Sequence, residues 1–375
     1  MKFTNTATIL FLCLFSFTAN SFADAVFLRP ISAEDNQSLR ELGVSERNLK
    51  KLASEGTVRS YRVGGHAVQG IWSGSYWPMV QGGITYRWQT GENPNQIATF
   101  DSILGMSQAQ RDTLSPAEKY DFYKGDRRMS LSHSERAHIE RAKKSNGGKL
   151  EGWFGYCDGA ASGGIGEKEP LFPANTKAQG LPLTFYPNDL KALASSLYVH
   201  SNGANVAMGK RCEKDFQGRP ILDFFTKAQN PACNDTNPGA FHLALTNRLA
   251  DNKSFVMEID RGAQIWNHAV YGYKTLSSNW LPGGVGFLRR RVDMMIYYVD
   301  GITPSRTRQF KLGQKQLDYT LHIDRRTGDI IGGRWNHEAS RGGSVDFIWN
   351  RQQAGTDKRG LIDIATLRNL ITLAR

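Results

Sequence analysis

The order of periodicities along the chain constrains the fold most. Helical patterns dominate the first half and strand patterns the second, with no regular strand–helix alternation. A wound parallel sheet needs that alternation, so the expected class is α+β, a helical N-terminal half packed on an antiparallel sheet. Ser32-Ala33-Glu34-Asp35 reads as a capping-box start. It opens the first of two short helices, the second running from Ser45 to Gly56. Residues 110–146 are charged and helical, with Pro116 at the first position behind Ser115. Pro187 opens another helix, and residues 357–375 close the chain as a last one. Strands are expected at 241–249, 254–259, 287–299, 317–324 and 345–349, and an aromatic, glycine-rich β region at 61–88.

The N-terminus reads as an export signal. Lys2 precedes the apolar run Ile9–Phe15, and Ser21-Phe22-Ala23 gives a small-x-small cleavage site before Asp24. Residues 1–23 are therefore expected to be removed, leaving a secreted or periplasmic chain without a membrane span. Residues 24–65 form a helical lead-in, with a pro-segment as the alternative, and 66–375 the catalytic domain. A net charge of +12 favours anionic surfaces without naming a partner. The positive charges are scattered rather than clustered, which argues against nucleic acid. No His-Glu-x-x-His or Cys-x-x-Cys occurs, and Gly163-Gly164-Ile165-Gly166 lacks phosphate-loop spacing. Neither a metal nor another cofactor is expected.

Export changes the cysteine arithmetic. Cys13 leaves with the signal, and Cys157, Cys212 and Cys233 remain. In an oxidising compartment an odd count leaves one thiol over. Cys212 and Cys233 flank a loop rich in turn residues, and a bridge there would stabilise by roughly 3 kcal/mol. Cys157 is then the free thiol. It lies in Gly152-Trp153-Phe154-Gly155-Tyr156-Cys157-Asp158-Gly159-Ala160, aromatic before the sulfur and small after it. Small residues there would seat the thiol at a helix mouth, where a thiolate is favoured. The other reading is a buried structural cysteine in a glycine-rich turn.

A thiol nucleophile needs a base, and the base an orienting partner. His242 opens the expected strand 241–249 after the turn Asp235–Gly239, and Asp260 ends the next strand. A hairpin turning at Asp251-Asn252 would set His242 beside Asp260. His268 is the alternative base and Asn267 the alternative third member, a Cys/His/Asn set of papain type. Trp153, Trp266 and Asn267 are candidates for the oxyanion site and substrate wall. A hydrogen-bonded structural histidine is the competing reading of His242.

Taken in order, several pieces resemble the secreted transglutaminase elicitor family, known from oomycetes and with bacterial members. They are Tyr76-Trp77-Pro78, Ser115–Asp121, Gly155-Tyr156-Cys157-x-Gly159, Glu169-Pro170 and Arg211-Cys212. Cys233-x-Asp235-x-Asn237–His242, Trp266-Asn267, Ile330–Trp335 and Asp346–Trp349 follow. The resemblance implies a papain-like, transglutaminase-like core and acyl transfer from a glutamine carboxamide to a lysine amine through a thioester. It places the nucleophile on Cys157, and protein or peptide substrates follow from it. The rivals are a cysteine peptidase, an amidase or a glutamine deamidase on the same framework, and a non-catalytic binding module. Where relatives often carry His-Gly-Trp after the cysteine, this chain has Asp158-Gly159-Ala160, and a carboxylate beside the thiol raises its pKa.

Overall fold

The computed structural model describes residues 30–44, 71–210, 235–251, 253–259, 264–336, 344–351 and 355–375. The expected signal at 1–23, the second lead-in helix, Asp260, Cys212 and Cys233 lie outside the described residues. Helix α1 (Ala33–Glu41) starts on the capping box of Ser32 and Asp35. Five helices follow: α2 (Phe100–Leu104), α3 (Gln108–Asp112), α4 (Pro116–Lys124), α5 (Ser130–Ser145) and α6 (Cys157–Gly166). Ser115 and Glu118 close the capping box of α4, with Pro116 in its first turn. A two-stranded hairpin, β1 (Ala174–Ala178) and β2 (Leu181–Phe185), leads into α7 (Pro187–Val199).

The rest of the chain builds the sheet. Its strands are β3 (Asn205–Gly209), β4 (Val256–Glu258), β5 (Asn267–Gly284), β6 (Phe287–Val299), β7 (Leu312–Asp324), β8 (Ile330–Trp335) and β9 (Phe347–Arg351). They lie in the order β3-β9-β4-β5-β6-β7-β8, antiparallel at every pairing. Helix α8 (Pro238–Ala250) covers one face and α9 (Ile364–Leu373) closes the helical layer. The α+β architecture expected from the order of periodicities is the one observed.

Three apolar clusters hold the layers together. Phe241, Leu245 and Leu249 of α8 pack with Leu39, Met257, Tyr319 and Trp335 on one side of the sheet. The helical layer has its own core around Trp72, Trp77, Tyr120, Phe185 and Leu193. Between the two, Ala161 of α6 meets Val256, Ala269, Tyr271 and Trp349 on the other sheet face. Helix α6 is thus the seam, bound to α7 on one flank and to the sheet on the other.

Two local expectations are corrected. Residues 241–249 are helical, not a strand. Asn237 caps the helix by accepting from Gly239 and Ala240, and Pro238 occupies its first turn. The same residues had suggested a turn, while Phe241, Leu245 and Leu249 stand at the i, i+4 spacing of a helix face. Residues 71–88 form two 3₁₀ turns (Met79–Gln81 and Gly83–Thr85) rather than strands, because Pro78 and the left-handed Gly82 and Gly83 break extended pairing. Trp72 and Trp77 are core residues there.

Candidate active site

Cys157 is the first residue of α6, so its backbone N–H has no partner within the helix. The glycines behind it have a packing reason. A Cβ on Gly159 would lie 2.1 Å from the Ser195 carbonyl of α7, and one on Gly164 2.8 Å from the Trp72 carbonyl. The preceding loop is braced by Met79 N–H donating to the Phe154 carbonyl at 2.8 Å. Tyr156 is fully buried, and its hydroxyl bonds Glu135. The sulfur is thereby fixed from both sides in sequence.

Cys157 is a free thiol, half-buried between two cavities. The larger, about 480 Å³, is lined by Trp153, Phe154, Phe347 and Trp349, with Asp158 and Arg351 as its charged groups. The smaller, about 70 Å³, is lined by Tyr76, Trp266, His268 and Asp300. The thiol stands 3.6 Å from the Ile265 carbonyl, in position to donate to it. The Asn267 side chain donates to Sγ at 3.5 Å.

The orientation of that amide is not arbitrary. Trp349 Nε1 donates to Asn267 Oδ1 at 2.8 Å. An indole N–H can only donate, so it selects the carbonyl end of the amide and leaves Nδ2 facing the sulfur. The group nearest the sulfur is therefore a donor, suited to negative charge. Burial pushes the Cys157 thiol up to about 11, and the Asp158 carboxylate adds to this. Hydrogen bonds from the Asn267 side chain and from backbone N–H groups of Asn267 and Asp158 pull the other way. Burial also raises Asp158, while the Arg351 guanidinium opposes the rise.

The structure does not bring His242 to Cys157, which corrects the expected hairpin pair. His242 lies on α8, 5% exposed, with Nδ1 2.6 Å from the Tyr319 hydroxyl. Burial lowers its pKa to about 3, as for a neutral structural imidazole. Among the described residues, His268 lines the smaller cavity together with Cys157. It opens β5 beside Asn267, and its ring packs on Tyr298 at 4.3 Å between centroids. The β5–β6 ladder pairs Ala269 with Val299, so one step further along that register sets His268 opposite Asp300. Asp300 also binds Lys311 at 2.7 Å.

Trp153 and Asn267 line the larger cavity and Trp266 the smaller, with Tyr76 edge-on to Trp266 at 5.1 Å. Sequence reasoning missed Asp300, Trp349 and Arg351. The signal for Asp300 was its position at the end of the strand 287–299, whose partner begins at 267.

The mixed helix and antiparallel-sheet fold that carries this thiol is transglutaminase-like, and a solved structure shares the fold. The crystal structure of the GP42 transglutaminase from Phytophthora sojae superposes with a TM-score of 0.61 at 20% identity. The alignment covers 92% of this chain and 98% of that one. The chain belongs to the transglutaminase elicitor family, whose family model matches residues 46–283. No curated protein matches the sequence.

Proposed function

We propose that the protein is a protein-glutamine γ-glutamyltransferase with Cys157 as nucleophile and His268 as base. The observation that supports the reading is an oriented amide donor, Asn267, at a free thiol on a helix N-terminus, with His268 among the residues lining the adjoining small cavity. The raised thiol pKa means that the resting sulfur is protonated near neutrality, so attack requires a proton acceptor. His268 takes that proton as Sγ bonds to the carboxamide carbon of a glutamine. Asp300, beside it in register, orients the ring and stabilises the imidazolium. The oxyanion is held by the Cys157 N–H and Asn267 Nδ2, each such donor contributing about 3 kcal/mol. The C–N bond then breaks, and ammonia leaves with the proton from His268. A lysine amine attacks the thioester, gives its proton to His268 and releases the thiol.

The apolar wall of Trp153, Phe154, Phe347 and Trp349 would limit water at the thioester. When water replaces the amine, the same intermediate gives deamidation. Fluorescent-amine incorporation into a glutamine-bearing protein tests the assignment. Wild type should label, Cys157→Ala should not, and His268→Ala should lose about 10²-fold or more. His242→Gln should retain activity wherever it remains folded. Labelling by Cys157→Ala would overturn the nucleophile, and full activity in His268→Ala would overturn the base.

A further inference from the structure

We propose that the β5–β6 hairpin is a docking arm for an anionic lipid surface. From Lys274 to Arg291 no residue is buried, and beyond the short strand β4 this part of β5 forms the exposed edge of the sheet, with β6 still paired to β7. Seven large apolar side chains are exposed among the described residues, and three of them lie on this arm. Leu276 is 42% exposed, Trp280 58%, and Val285 at the turn 101%. Such clustering is unlike the scattered single exposures of an ordinary surface.

The surrounding charge points to the partner. Arg290, opposite Trp280 in the ladder, lies 5.1 Å above its ring, and Arg289 is its neighbour. The turn between β7 and β8 joins the same end, because Arg325 N–H donates to the Gly286 carbonyl at 3.0 Å. It brings the exposed Arg325 and Arg326 beside Val285. The acids of this turn are Asp324 and Asp329; Asp324 accepts from the N–H groups of Arg326 and Thr327. Asp318 is engaged by Arg291. Four arginines therefore outnumber two local acids around an apolar tip. Tryptophan, arginine and an apolar turn match the headgroup layer of a negatively charged bilayer. The chain's net charge of +12 adds long-range attraction of the same sign.

The arm leaves the catalytic cleft intact. Strand β6 has 13 residues, so its turn end lies about 40 Å from the end beside Asp300. Docking and chemistry are accordingly separable. The test is flotation of the purified chain with neutral phosphatidylcholine vesicles and with vesicles also containing phosphatidylglycerol. The chain should float with the anionic vesicles only, and raised salt should weaken this about tenfold or more. Trp280→Ser/Val285→Ser and Arg325→Glu/Arg326→Glu should each lose flotation while matching the wild-type circular dichroism and amine incorporation. The proposal is overturned by absence of flotation, by equal binding to neutral vesicles or by binding that survives both variants. A wild-type dimer that these variants dissociate would assign the arm to a second copy instead.

Discussion

At Cys157 two opposing influences meet within a few ångströms. Asn267 and the helix N-terminus favour a thiolate, whereas burial and Asp158 oppose it. Asp158→Asn should lower the thiol pKa. Each unit raises the thiolate fraction tenfold and lowers its nucleophilicity about threefold, so alkylation near neutral pH should quicken about threefold per unit. An unchanged iodoacetamide rate–pH profile would show that the carboxylate does not reach the sulfur. Trp349→Phe keeps the ring and removes the N–H that orients Asn267. It should shift the same profile to higher pH and cut kcat about 10²-fold with little change in KM. Loss of KM with an intact profile would instead mark Trp349 as a substrate wall. Cys157 was legible because an odd cysteine stands out in a chain expected to be exported. Residues 241–249 were read as a strand because Asn237-Pro238-Gly239 is equally a turn signal and a helix start, and only the packing of Phe241 decides between them.

Among the elements, α6 is the least tolerant of change. Its glycines admit α7 and Trp72 at backbone distance, so Gly159→Ala drives a methyl into the Ser195 carbonyl. A loss of about 1–3 kcal/mol is expected, read as a lower Tm, with slower thiol alkylation as the sulfur shifts. Gly152→Ala, which meets nothing within 4 Å, should leave Tm unchanged and serves as the control. Strand β6 was readable because Met294–Val299 is a run of apolar, β-branched and aromatic residues bounded by turn residues. Strand β5 was not, since Asn279, Pro282, Gly283 and Gly284 are residue types depleted in strands. Its existence depends on pairing with β6 along the whole length of the latter. With β5 unseen, the adjacency of His268 and Asp300 was invisible too.

For the molecule as a whole, three largely buried histidines weaken the fold in acid and outnumber Asp121, whose pKa burial raises to about 6 and which works the other way. Burial lowers His242 to about 3 and His200 and His322 to about 4. These groups stay neutral when folded but take up protons when unfolded below about pH 6.5. Their stabilisation is complete above that pH and is lost as pH falls towards the folded values. Each contributes a slope of up to about 1.4 kcal/mol per pH unit. Tm should therefore fall steadily from pH 6.5 to pH 4. A flat Tm over that window would mean that these rings titrate normally.

The seam position of α6 has a kinetic corollary. Sulfur and imidazole are carried by separate layers, so their alignment depends on the small apolar contact joining Ala161 to Val256, Ala269 and Trp349. Mild denaturant that lets the layers slip would silence turnover while both hydrophobic bodies still held their secondary structure.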